Sequence, residues 1–177
     1  MKVLNVGGGI NRDLPDCFAG WDQVLLDIDP GVNPDIMLDA LQMQTLPADE
    51  YDGVLCRHGI EHYYQHEAPE LLKGLMHVLK PGGIVFLELP HILGLFEALK
   101  VTNLDLDDPW YRTSARVPIT FHDVLYGWGH ALSAGNQYYA HKSAYTPTML
   151  VRLMANAGFK ELLISAGNSN LYGRGVK

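Results

Sequence analysis

Three consecutive glycines, Gly7-Gly8-Gly9, end the apolar run Lys2-Val3-Leu4-Asn5-Val6 at the start of the chain. An apolar run without alternation suits a strand covered on both faces. Glycines after it let the backbone turn sharply and bring a ligand against the main chain, because no Cβ intervenes. A second apolar run, Val24-Leu25-Leu26, ends in the carboxylate Asp27. Strand, glycine turn and a carboxylate about 20 residues on is how an open parallel α/β sheet holds a ribosylated cofactor.

The rest of the chain continues that pattern. Strands are expected at 2–6, 23–27, 35–38, 51–56 and 83–89, with an amphipathic helix at 67–79 carrying Leu71, Leu72, Leu75, Met76 and Leu79 on one stripe. Pro69 is tolerated in its first turn, and Pro81-Gly82-Gly83 stops it. A second helix is expected at 147–157, with Thr146 as N-cap, Pro147 at N1 and Gly158 at C′. Strands near 159–165 and 171–177 follow, joined by Gly167-Asn168-Ser169-Asn170. So short a turn makes them an antiparallel hairpin closing a parallel sheet.

With 177 residues, 47% of them hydrophobic, the chain suits a single domain. A net charge of −7 opposes a broad basic face for phosphate backbones, so nucleic acid is not an expected partner. The two cysteines, Cys17 and Cys56, cannot form a disulfide framework, which fits a reducing cytoplasm. No apolar run approaches the roughly 18 residues of a membrane span, and no signal-peptide pattern opens the chain, so a cytoplasmic protein without membrane contact is expected.

Residues 91–145 stand apart. They hold nine of the seventeen aromatics and four of the eight histidines, with no long periodic pattern. A long irregular stretch inside a compact domain is usually a lid or binding loop, and at times an assembly surface. Trp110, Tyr111, Phe121, Tyr126, Trp128, Tyr138 and Tyr139 are candidate pocket walls, or else simply pack the insertion onto the core. His122, His130 and His141 are candidate lid residues, and a homodimer through 91–145 is one expected assembly.

The glycine turn narrows the cofactor. A dinucleotide signature needs a third glycine at position 12, opening a helix whose N-terminus receives a pyrophosphate. Here Arg12 stands there, and Leu14-Pro15-Asp16 is a poor helix start. A cofactor without phosphates fits better. Asp27 is placed to accept from both hydroxyls of a ribose, and Asp39 from an adenine amino group. Carboxylates also favour a ligand bearing an ammonium and a sulfonium in a partly desolvated site.

On these residues the chain resembles the class I S-adenosylmethionine-dependent methyltransferases. Leu4-Asn5-Val6-Gly7-Gly8-Gly9 is similar to their glycine motif and Leu26-Asp27-Ile28-Asp29 to their ribose motif. The stretch 46–56 resembles the approach to their fourth strand, Ile60-Glu61-His62 the Leu-Glu-His after it, Leu79-Lys80-Pro81-Gly82-Gly83 the turn before the fifth, and Ala157-Gly158-Phe159 the end of the last helix. The resemblance covers the chain except 91–145. It implies an α/β, Rossmann-like, seven-stranded mixed sheet in the order 3-2-1-4-5-7-6, strand 7 antiparallel, with helices on both faces. It implies S-adenosylmethionine as cofactor, S-adenosylhomocysteine as product, and an oxygen or nitrogen acceptor on a small molecule or protein. Gly7, Gly8 and Gly9 would lie along the methionine end, Asp27 and Ile28 at the ribose, Asp39 and Ala40 at the adenine, and Arg57 and His58 beside the methyl group. Asn5 stands where many relatives carry a carboxylate. The chain also starts directly at its first strand, so cover for the site is expected from 91–145 or a second subunit.

An acceptor that is an alcohol or a protonated amine needs a base. His58 and His91, near the carboxyl ends of strands four and five, are preferred to His62, which the resemblance implies packs the turn between strand and helix. Two other functions remain open. A methyltransferase-like fold can serve as a non-catalytic partner subunit. His58-Gly59-Ile60-Glu61-His62 also satisfies H-x-x-E-H, a zinc hydrolase pattern in which both histidines of one helix hold the metal and Glu61 activates water. That pattern needs a full helix where a glycine-containing turn is expected, so no metal is assigned.

Overall fold

The computed structural model describes residues 1–113, 116–167 and 169–177. Its strands are β1 (Lys2–Val6), β2 (Asp22–Asp27), β3 (Ile36–Met37), β4 (Tyr51–Arg57), β5 (Leu79–Pro90), β6 (Pro109–Arg112), β7 (Pro118–Thr120), β8 (Lys160–Ala166) and β9 (Asn170–Val176). Its helices are α1 (Ala68–Val78), α2 (Ile92–Thr102), α3 (Phe121–Tyr126), α4 (Gly129–Ser133) and α5 (Pro147–Ala157).

Seven strands form one sheet in the order β3-β2-β1-β4-β5-β9-β8, and β6 pairs with β7 in a separate hairpin. Leaving that hairpin out, the order is the expected 3-2-1-4-5-7-6. The pairs β1·β2, β1·β4, β2·β3 and β4·β5 are parallel, whereas β9 runs antiparallel to both β5 and β8. In the tight connection before β9, Gly167 N–H donates to Asn170 O at 2.8 Å; Asn168 of the expected turn lies outside the described residues.

The sheet has helical cover on both faces, but unequally. On one face Leu4, Val6, Leu26, Val54, Cys56, Val85, Leu87 and Leu171 pack under α1 and α5, which contribute Leu71, Leu72, Leu75, Val78, Leu150 and Met154. Burying each such leucine contributes about 1.5–3 kcal/mol relative to leaving it in water. On the other face Val3 and Leu55 meet Phe18 of a 3-10 turn at Asp16–Phe18, with Leu14, Trp21, Ile84 and Phe86 around it. Pro15 lacks the N–H that a longer helix would use, so the β1–β2 connection stays a single turn.

Helix ends follow their expected chemistry. The Thr146 side chain accepts from Met149 N–H, Pro147 takes the first position, and Gly158 closes α5 in the left-handed region. Helix α1 ends at Val78, and the extended stretch begins at Leu79, four residues earlier than expected. An irregularity in the β4·β5 register takes up the Pro81-Gly82 segment.

The expectation of irregular backbone over 91–145 needs correction. The insertion holds the eleven-residue α2, the β6·β7 hairpin, α3 and α4. Helix α2 escaped the periodicity test because its apolar residues are not confined to one face: Leu95 is buried while Leu93, Phe96 and Val101 are exposed. His91 and Tyr145 form an isolated bridge, so the insertion leaves and rejoins the sheet at one point. Among the described residues no helix is long and apolar enough to cross a membrane.

Candidate functional site

A cavity of about 840 Å³ opens beyond the carboxyl ends of β1, β2 and β4, with the insertion as its far wall. Asn5, Gly7, Gly8, Gly9, Asp27, Ile28, Asp39, Ala40, Arg57, His58 and His62 all line it. His91 does not: its Nδ1 donates to Gly167 O at 2.9 Å, and it borders a separate small crevice. The expectation of His91 as a catalytic base is corrected on that ground.

The glycine turn is shaped from below. Gly7 and Gly9 adopt φ of +66° and +58°, where a side chain would be strained. A Cβ on Gly8 would stand 2.3 Å from Asn5 Nδ2. Asn5 is 1% exposed, and its Nδ2 donates to Asn11 O and Gln23 Oε1, each at 3.4 Å. Its amide nitrogen therefore bonds to the loop and to β2, while Oδ1 has no partner among the described residues.

Asp27 ends β2 directly opposite. Gly9 N–H donates to Oδ2 at 3.0 Å and Asp29 N–H to Oδ1 at 2.9 Å. A carboxylate offers about four acceptor positions, so two remain for a ligand diol. Asp39 caps the 3-10 segment Ala40–Thr45 by accepting from Leu41 N–H, and also accepts from Tyr63 Oη at 3.2 Å. Burial, reinforced by the Asp39 charge and hydrogen bond, pushes the Tyr63 phenol well above its ordinary range, so it keeps the proton that it donates to Asp39.

At the end of β4, Arg57 Nε donates to Glu88 Oε2 at 2.8 Å and Nη1 to Asp13 O at 3.2 Å. The guanidinium thus orients the cavity rim. His58 adopts φ of +47°. A non-glycine residue there costs about 1–3 kcal/mol, which its surroundings must offset. They do so through His58 N–H, which donates to Glu88 O at 2.7 Å, and through Nδ1, which donates to Glu61 Oε1 at 3.2 Å. Burial lowers the His58 pKa, but Glu61 and then Glu88 outweigh it and hold the imidazole above its ordinary value. Burial likewise raises Glu61, and the bond and charge of His58 overcome this to hold the carboxyl below its usual range. Both ring nitrogens thus face carboxylates, Nδ1 bonded to Glu61 and Nε2 lying 3.8 Å from Glu88 Oε1.

Glu61 and His62 follow in a 3-10 turn, Ile60–His62, not a helix. The zinc hydrolase geometry is therefore absent: His58 and His62 do not share a helical face, and His58 engages Glu61 itself. Glu61 is 1% exposed, and its Oε2 has no partner among the described residues. His62 Nδ1 donates to Ala140 O at 3.1 Å. Both cysteines are free; Cys56 is buried, which, aided by the nearby Glu61 charge, pushes its thiol up to about 12 and makes it inert.

The far wall comes from the insertion. Tyr111, Trp128, Tyr138 and Tyr139 line the cavity as expected of the group. Trp110 and Phe121 do not; their rings stack at 4.6 Å inside the insertion. Tyr126 is exposed beside His122. Asn136 Nδ2 donates to Asp29 Oδ2 at 3.1 Å, joining the insertion to the β2 side. Burial, then the charges of Asp29 and Asp27, raises the Tyr139 phenol. His141 lines the cavity with Nδ1 donating to Val124 O at 3.0 Å, and burial keeps it below its ordinary value. His122 and His130 are exposed and line nothing here. Sequence reasoning did not single out Tyr63, and it named His141 only as a candidate lid residue; neither carries a local signal for its partners, because each acquires them through the fold.

The family model described as a methyltransferase domain matches residues 1–163. No curated protein matches the sequence significantly. Among solved structures, an S-adenosylmethionine-dependent methyltransferase from Archaeoglobus fulgidus aligns with a TM-score of 0.64 at 15% identity, over 99% of this chain and 86% of its own. A possible histamine N-methyltransferase from Thermotoga maritima gives 0.62 at 15% identity, over 99% and 82%. Human N-acetylserotonin methyltransferase, crystallised with S-adenosylmethionine, gives 0.58 at 16% identity, over 99% of this chain but 47% of its own. The match over most of the sequence and the shared sheet order together establish that the chain belongs to the methyltransferase domain family and has the class I fold.

Proposed function

We propose that the protein transfers a methyl group from S-adenosylmethionine to an oxygen or nitrogen acceptor on a small molecule or a protein. The observation that carries this reading is Asp27, with acceptor capacity in hand, facing a main-chain turn that has no room for a Cβ at Gly8 and no helix behind it to receive phosphates. Gly7 to Gly9 would hold the methionine portion, Asp27 the ribose hydroxyls, and Asp39 with Ala40 the adenine. When bound, the cofactor supplies a methyl group already activated on a sulfonium.

The chain itself then has to align the acceptor and exclude water. Such positioning is worth several kcal/mol of the barrier. The aromatic wall of Tyr111, Trp128, Tyr138 and Tyr139 supports the exclusion of water. His58 is held at the cavity edge by its Nδ1 bond to Glu61, with Nε2 3.8 Å from Glu88 Oε1. Calorimetry with S-adenosylhomocysteine tests the reading. One molecule per chain is expected, with binding abolished in Asp27→Ala. Absence of binding, as a non-catalytic subunit would give, or preference for a pyrophosphate nucleotide overturns it. A methyl-acceptor screen over metabolites and peptides then identifies the substrate.

A further inference from the structure

We infer that Glu61, His62 and His141 form a binding site for one divalent transition-metal cation on the acceptor side of the cavity. One ligand atom from each residue lies within 4.8 Å of the other two. Donor atoms about 2.1 Å from a tetrahedral ion stand roughly 3.4 Å apart, so only a small closure is required.

Two independent features point to a ligand. Glu61 is 1% exposed, yet its Oε2 has no partner among the described residues. A buried carboxylate oxygen without a donor is unfavourable, and a cation beside it removes the penalty. The imidazoles are also set up as ligands. His62 Nδ1 donates to Ala140 O and His141 Nδ1 to Val124 O, so each neutral ring carries its lone pair on Nε2. A carbonyl behind Nδ1 is the usual orienting contact of a metal-bound histidine, and a ligating carboxylate is normally hydrogen-bonded in turn, as His58 does to Glu61 Oε1. The backbone locks the two segments together: Lys142 and Ser143 N–H both donate to Glu61 O, at 2.7 and 3.2 Å.

Two imidazoles and one carboxylate suit zinc, iron, cobalt or nickel better than magnesium or calcium. Three protein ligands leave a position open, and His62 and His141 line the cavity, so that position faces it. The arrangement differs from the H-x-x-E-H hydrolase pattern: His58 is not a ligand, and Glu61 binds the ion instead of activating water. The role follows if the methyltransferase reading holds. The open position takes a hydroxyl or phenol oxygen of the acceptor and lowers its pKa, the proton passing to solvent while the oxygen keeps the electron pair.

The test uses full-length protein freed of metal by chelator, titrated with Zn²⁺ and, as an absorbing probe, Co²⁺. One cation per chain is expected. Glu61→Gln, His62→Ala and His141→Ala should each weaken binding by more than about 10-fold, and His130→Ala, in an exposed position, should leave it unchanged. His141→Cys guards against simple misfolding, because it should still take one Co²⁺ and add a thiolate charge-transfer band. Substoichiometric binding, unchanged affinity in all three variants, or no thiolate band overturns the proposal. S-adenosylhomocysteine titration of the metal-free protein separates the two readings: its failure with the metal site intact sinks only the methyltransferase assignment, and its success without metal binding sinks only this one.

Discussion

The pair Asn5 and Gly8 decides the shape of the cofactor turn. Asn5 is buried with its amide nitrogen bonded to the loop carbonyl of Asn11, so it cannot swing aside. Alanine at position 8 would drive a methyl into that amide. Overpacking of this kind costs about 1–3 kcal/mol. Gly8→Ala is therefore expected to lower thermal stability and to lose most of the affinity for S-adenosylhomocysteine. Asn5→Ala removes the obstructing atoms, so Asn5→Ala/Gly8→Ala should be less damaged than the sum of the single changes. Denaturant unfolding of the four proteins measures the coupling, and strict additivity refutes the contact. The glycines and Asp27 were legible in the sequence because their chemistry is local: a turn without Cβ atoms and an acid at a strand end. His141 and Glu61 were not legible as a pair, since nothing in a linear pattern brings positions so far apart together.

Among the elements, α3 shows how the cavity wall is held. Thr120 Oγ1 accepts from Asp123 N–H, and the Asp123 carboxylate accepts from Thr120 N–H at 2.9 Å, completing a capping box. The same carboxylate accepts from Gly129 N–H at 2.8 Å and so ties α3 to α4. Burial raises the Asp123 pKa, but the donors of Thr120 and Gly129 outweigh this and hold it below its ordinary 3.8. A depressed folded value means the contribution is complete above the unfolded pKa and is lost as pH falls through the folded one. Local protection of residues 121–133, read by hydrogen exchange corrected for intrinsic rates, should hold from neutrality to about pH 4 and decline below it. Asp123→Asn should lose about 1 kcal/mol of that protection at neutral pH, in line with the removal of a cap, and should show no further decline in acid. Equal acid sensitivity in both proteins refutes the assignment. Caps made α5 readable from Thr146, Pro147 and Gly158, and the stripe made α1 readable. Helix α2 hid because Leu93, Phe96 and Val101 face outwards and break the periodicity.

At the scale of the molecule, the cavity joins two bodies of different origin. The floor is the carboxyl edge of the parallel sheet, whose order followed from apolar runs and glycine turns. The far wall is the insertion, whose fold depends on contacts that no sequence pattern announces, such as Trp110 on Phe121. Among the bonds that connect the two, Asn136 reaches Asp29, His62 reaches Ala140, and Lys142 and Ser143 reach Glu61. A ligand between them should therefore stabilise the whole fold by mass action. At 100 times its dissociation constant, S-adenosylhomocysteine should contribute about 2.7 kcal/mol, which for a chain of this size is a rise in Tm of about 5–11 °C. Asp27→Ala should show no rise. Asn136→Ala should melt close to the parent when free but show a smaller rise with ligand, because the wall is no longer tied to Asp29. An equal rise in Asn136→Ala and the parent would mean that the ligand is held by the sheet edge alone, and that the insertion contributes nothing to its binding.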